Sequence, residues 1–140
     1  MFKKISIIIL LASLLYGCAE VSQPSTEITV ELKDFSYGPS SITIPAGQPV
    51  TLTINNTGLV EHDFVVEKIN VTDVIADDSG SEHHMHDMGS SAYDLHASTG
   101  PGQTNVLQFT ALEPGTYKIF CSVGGHIEAG MTGELIVVSE

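Results

Sequence analysis

The chain has 140 residues, 42% of them hydrophobic, and carries 17 acidic against five basic side chains for a formal net charge of −12. That length favours one domain with enough apolar residues for a core, and excludes a large multidomain enzyme. The acidic balance makes nucleic acid and anionic membrane surfaces poor electrostatic partners, and suits basic proteins or metal cations.

Residues 1–17 read as an export signal. Lys3 and Lys4 precede the apolar run Ile5 to Leu15, which is well short of the ~20 residues that a spanning helix needs. Leu15-Tyr16-Gly17-Cys18 resembles the bacterial lipobox, in which the Cys is lipidated and becomes the first mature residue, although Tyr16 is a less usual choice within it. An ordinary secretory signal cleaved nearby is the alternative. Residues 18–25, with Pro24 and small polar side chains, then form a lipidated tether, and residues 26–140 form the folded domain. Without the signal, three lysines and no arginine face all 17 acidic residues.

From Thr26 the pattern is β. Ile28, Val30 and Leu32 alternate with polar neighbours, the period of a half-buried strand. Phe35 to Ser40 breaks the run. Ile42 and Ile44 form a short strand that Pro45-Ala46-Gly47 turns, and Val50, Leu52 and Ile54 form the next, closed by Asn55-Asn56-Thr57-Gly58. His62, Phe64 and Val66 then share one face, with His62 at the entry of a core-facing row.

Glu67 to Gly102 differs in character. After a strand end in Lys68 to Val74, the stretch around His83, His84, Met85, His86 and Met88 is acidic and lacks apolar periodicity, and His96 lies further on. An insertion over about residues 70–100 is the expectation, either functional or irregular. Imidazoles and thioethers at this density suit a labile second metal site, for copper or zinc. A solvated acidic loop with incidental histidines is the equal alternative.

Beyond Pro101-Gly102, strands are expected at Val106 to Phe109, at Thr116 to Cys121 with Tyr117, Ile119 and Cys121 on one face, and at Gly133 to Val138. About seven short strands and no amphipathic helix indicate an all-β chain, a β-sandwich with Greek-key connections.

Cys121, His126 and Met131 follow one another with four residues between each pair. Thiolate and thioether sulfur favour the soft cuprous ion and imidazole serves both copper oxidation states, so a His₂Cys set with a weak axial Met suits electron-transfer copper. His62 is the candidate fourth ligand. The chain has two cysteines. If Cys18 is lipidated, Cys121 lacks a disulfide partner, and a lone thiol in an oxidising compartment is well explained as a metal ligand. A Cys18 to Cys121 disulfide, or an inert buried thiol, is the bland alternative.

The order His62, Cys121, His126, Met131 on this strand pattern resembles the cupredoxins, the small blue copper electron carriers, over roughly Glu27 to Val138. The four-and-four spacing is similar to that of rusticyanin and auracyanin rather than the tighter plastocyanin loop. The resemblance implies one type 1 copper ion and a cupredoxin-like sandwich carrying the His- and Met-rich insertion. Asp63 stands where relatives often have Asn. It is expected to bond the backbone around Ser122, tying the two ligand segments together and stabilising the cupric state. Gly124, Gly125, Ala129 and Gly130 leave His126 little cover, so its ring edge is expected at the surface as the electron port.

Three functions compete. The leading one is a lipid-anchored, envelope-located one-electron carrier with a redox partner protein that docks through a basic surface. The second is a copper chaperone or sensor that loads metal through the insertion. The third, an oxidase or nitrite reductase, needs an open coordination position or further His ligands that the sequence outside the insertion does not offer. The leading reading is therefore not an enzyme.

Overall fold

Alternation of apolar and polar residues puts every second side chain on one face of a strand. The computed structural model of the chain describes residues 23–77 and 92–139, and the described residues form ten strands with no helix. These are β1 (Glu27–Lys33), β2 (Ser36–Gly38), β3 (Ser41–Pro45), β4 (Pro49–Asn56), β5 (His62–Val66), β6 (Val71–Asp77), β7 (Leu95–Thr99), β8 (Thr104–Ala111), β9 (Gly115–Phe120) and β10 (Thr132–Val138). One sheet has the order β2-β1-β4-β8-β6, the other β3-β10-β9-β5-β7. β1 runs parallel to β4, and β3 parallel to β10. Such pairings require the chain to cross between the sheets, which gives the Greek-key sandwich that the sequence predicts.

β4 shows the alternation most cleanly, with Val50, Leu52, Ile54 and Asn56 buried and their neighbours partly exposed. Between the sheets Phe64, Phe109, Leu52 and Leu107 are each no more than 1% exposed, and each such side chain contributes about 1.5–3 kcal/mol on burial. Polar groups in such a core need partners, and here they link the layers. Asn56 Nδ2 donates to the Thr99 carbonyl at 2.7 Å, the Tyr37 hydroxyl donates to the Asp63 carbonyl at 2.7 Å, and Asn105 Nδ2 donates to the Ser98 carbonyl.

Between residues 67 and 102 the structure departs from the sequence reading. Two strands lie inside the expected insertion, β6 at the edge of one sheet on β8 and β7 at the edge of the other on β5. Their signals are weak for physical reasons. β6 carries an irregularity between Thr72 and Ile75, where Asp73 has φ 55, and a bulge breaks the two-residue period. The inward row of β7 is Leu95, Ala97 and Thr99, small and polar rather than bulky. The short β2 is likewise hidden in what reads as a turn. His83, His84, Met85, His86 and Met88 lie outside the described residues, as do the signal and Cys18.

Gly133 shows how closely β10 approaches the start of β3. A Cβ there would lie 2.6 Å from the Ser40 carbonyl oxygen, which already accepts from the Glu134 amide at 2.8 Å. Gly133→Ala should therefore cost about 1–3 kcal/mol by forcing the backbones apart. Denaturant unfolding of the metal-free protein measures this, and an unchanged midpoint would show that the β3 end yields freely.

Candidate metal centre

His62 is the first residue of β5 and fully buried, at the head of the inward row with Phe64 and Val66. Asn56 shapes the loop before it, donating from Nδ2 to the Val60 carbonyl at 2.8 Å and accepting from the Gly58 amide at 2.8 Å. Cys121 directly follows β9, faces inward with Ile119, is fully buried and forms no disulfide among the described residues. The next ten residues fold back on themselves. His126 N bonds the Val123 carbonyl at 3.1 Å, Ala129 N that of Gly125 at 3.1 Å, and Met131 N that of His126 at 2.9 Å. Gly125 and Gly130 take φ of 86 and 97, a backbone region that suits glycine. Met131 ends the loop fully buried, and its carbonyl accepts from the Cys121 amide at 3.3 Å.

The sandwich thus brings together donors far apart in sequence. His62 Nδ1 lies 3.2 Å from His126 Nδ1, and Cys121 Sγ lies 3.3 Å from the same atom. The ligand atoms of His62, Cys121 and His126 all fall within 4.8 Å of one another. Bonds of about 2.0–2.3 Å to imidazole nitrogen and thiolate sulfur span such separations around one first-row ion. With Met131 in the same core cluster, this donor set fits a type 1 copper site. Burial pushes the Cys121 thiol up, opposed by the amides of Asp63, at 3.3 Å from the sulfur, and Val123. Without a metal the sulfur is therefore held as a thiol.

Asp63 reaches the ligand loop through the Ser122 hydroxyl, which donates to Oδ2, rather than through the backbone around it. His96 Nε2 lies 3.7 Å from the same oxygen. Burial raises the Asp63 carboxyl, but hydrogen bonds from His96, Ser122 and Ser98 outweigh it and hold the group below the ordinary carboxylate range. On the outer face of β5, Val65 lies opposite both His96 and Phe120, and the Tyr93 ring packs edge-on against both of those side chains. His96 thus supports Asp63.

The turn between β1 and β2 covers the two imidazoles. Phe35 takes φ 64, rare for a bulky side chain, and its ring stands edge-on to His126 with centroids 5.2 Å apart. His126 is consequently only 8% exposed. The ring keeps only a small exposed edge: local glycines offer little cover, and a distant aromatic supplies it. Asp34 Oδ1 accepts from the Leu59 amide at 2.9 Å and lies 3.2 Å from His62 Nε2. The Leu59 amide and then His62 hold its carboxyl low. Sequence reasoning missed both residues, because the only local signal was a broken strand.

Residues 5–98 match the family model of the cupredoxin-like domain. The chain belongs to the cupredoxin family. The match includes His62 and ends before Cys121, so it is the fold that brings the C-terminal loop to this histidine. This cupredoxin is 29% identical over 101 residues to the copper-resistant cuproprotein CopI of Rubrivivax gelatinosus, over 72% of this chain and 59% of that protein. The chain therefore spans less than two thirds of that relative. Among solved structures it resembles the reduced auracyanin of Roseiflexus castenholzii, at 25% identity and TM-score 0.63, covering 83% of this chain and 99% of that one. Auracyanin A of Chloroflexus aurantiacus, described as a "blue" copper protein, shares the fold at 22% identity and TM-score 0.56, over 80% of this chain and 99% of its own.

Asp63→Ala removes the acceptor for the Ser122 hydroxyl and one of the groups facing His96. Leaving such groups unpaired costs about 1–3 kcal/mol, so the metal-free cupredoxin should unfold at correspondingly lower denaturant. Unchanged stability would mean that the tie between β5 and the ligand loop is slack.

Proposed function

We propose that this cupredoxin is a mononuclear copper protein that carries single electrons, with His62, Cys121, His126 and Met131 as its ligands. The observation that carries the reading is the convergence of two buried imidazoles on one buried thiol, all held by sheet and loop hydrogen bonds. Copper bound there supplies a one-electron couple between cuprous and cupric states.

The chain's own part is to deliver donors and keep water out. Cys121 gives up its proton on ligation, so binding is coupled to proton release. His62, Cys121 and Met131 are each 0% exposed. β5 and β9 fix one side of the site, and the hydrogen-bonded loop fixes the other. Ligand positions then change little with charge, which favours rapid electron transfer over substrate turnover. Phe35, Val60 and Ile127 stay 47%, 45% and 40% exposed near the imidazoles, and offer an apolar face within an acidic surface. A redox partner with a complementary apolar patch and basic rim suits it.

A second reading, copper handling, is favoured by the similarity to CopI, a protein named for copper resistance. The cupric spectrum separates the two. A carrier gives an intense thiolate-to-copper absorption after reconstitution, whereas transient holding gives a weak one. Cys121→Ser should abolish the intense band in visible and EPR spectroscopy. A variant that stays blue would show that the ligands are misassigned.

We also propose export and lipid anchoring through Cys18, facing the periplasm or exterior, supported by Lys3, Lys4, the apolar run and the Leu15 to Cys18 motif. One acyl chain anchors marginally and two anchor stably, at about 0.8 kcal/mol per buried methylene. Cys18→Ala should leave the protein soluble or unprocessed on membrane fractionation. Recovery of a mature, membrane-bound form would reject the anchor.

A further inference from the structure

We infer that Asp34 is the positioning residue for His62: its carboxylate receives the Nε2–H of that imidazole and so turns Nδ1 toward Cys121 and His126. The inference rests on the copper reading above and deepens it.

The geometry is built from both ends of the contact. His62 is 0% exposed while the Asp34 side chain is 39% exposed, so the carboxylate is the bridge from a buried ring to the surface. Oδ1 is 3.2 Å from Nε2, and a second donor, the Leu59 amide at 2.9 Å, holds the same oxygen in place. An ionised carboxylate only accepts, so the hydrogen of a neutral imidazole facing it sits on Nε2. Nδ1 then carries the lone pair, and Nδ1 is the atom that stands 3.2 Å from His126 Nδ1. An anionic acceptor also makes the imidazole a stronger donor, the role carboxylates play behind metal-bound histidines.

Two neighbours show that the approach is specific. A Cβ on Gly58 would lie 2.5 Å from Asp34 Oδ1 and 2.9 Å from His62 Nε2, so glycine is what lets the carboxylate and ring meet. The next residue, Phe35, takes φ 64 and lays its ring against His126. One turn thus contacts both imidazoles, the acid on His62 and the aromatic on His126. Nothing in β1 or β2 requires an acid at position 34 for pairing, since the register of the two strands begins at Lys33 opposite Ser36.

The test uses the full chain. In the metal-free protein, the His62 Nε2–H resonance, assigned by ¹⁵N–¹H NMR, should be in slow exchange with solvent. Cuprous affinity is measured anaerobically by competition with a chromophoric chelator. Asp34→Ala should speed Nε2–H exchange at least about tenfold and weaken cuprous binding by roughly 10–100-fold, the usual effect of losing such a partner. Asp34→Asn, which keeps an acceptor oxygen, should restore slow exchange and most of the affinity. Gly58→Ala leaves the charge in place but displaces the contact, and should behave like Asp34→Ala. If Asp34→Ala fails to fold, Gly58→Ala and Asp34→Asn still decide the matter. Slow exchange and full affinity in Asp34→Ala or Gly58→Ala would overturn the proposal, as would folded Asp34→Asn that restores neither. The exchange measurement needs no metal, so it fails or succeeds independently of the copper reading.

Discussion

Asp63 is held at three points at once, and the site depends on that. Its amide donates to the Cys121 sulfur at 3.3 Å, its carbonyl accepts from the Tyr37 hydroxyl at 2.7 Å, and its carboxylate accepts from Ser122. The first and third bonds tie β5 to the strand end and loop that carry the C-terminal ligands. The second ties β5 to the opposite sheet. His62 is its chain neighbour, so fixing this one backbone fixes the imidazole relative to a thiol far away in sequence. The buried Tyr37 phenol, whose burial pushes its pKa upward, stays protonated and so keeps the hydrogen that it donates here.

Such ties matter because the donor set is costly to assemble without a metal. Two imidazoles and a thiol converge within 4.8 Å inside a core, where polar groups without good partners are unfavourable. The structure offsets this with amide hydrogen bonds to sulfur, with the Asp34 carboxylate on the outward side of His62, and with apolar packing around the rest. Phe64, Phe109, Leu52 and Leu107 make the sandwich stiff enough to bear the remainder. A preformed site of this kind fits the electron-carrying role proposed above.

Cover over the site is divided between near and far sequence. The ligand loop brings its own turns through Gly125 and Gly130, but contributes only small side chains beside His126 apart from Ile127. The shield comes from the β1–β2 turn, where Phe35 stands against one imidazole and Asp34 against the other. An aromatic face with acidic neighbours thus forms at the same end of the sandwich as the donors, by topology rather than by local sequence.

Composition and periodicity alone determined that this chain is an all-β sandwich, because alternation in β1, β3 and β4 is a local property that burial on one face imposes residue by residue. The spacing of Cys121, His126 and Met131 likewise announced the donor chemistry, since one loop holds all three. Tertiary structure decided the rest. β6 was legible only as a strand end reaching Val74 and β7 not at all, because a bulge at Asp73 and an inward row of Ala97 and Thr99 remove the apolar signal. Asp34 and Phe35 were illegible because a carboxylate or a ring acquires its role only when folding places it beside an imidazole. Hydrogen bonds at 3 Å between residues tens of positions apart are set by sheet order, and sheet order is not written in any single stretch of the chain.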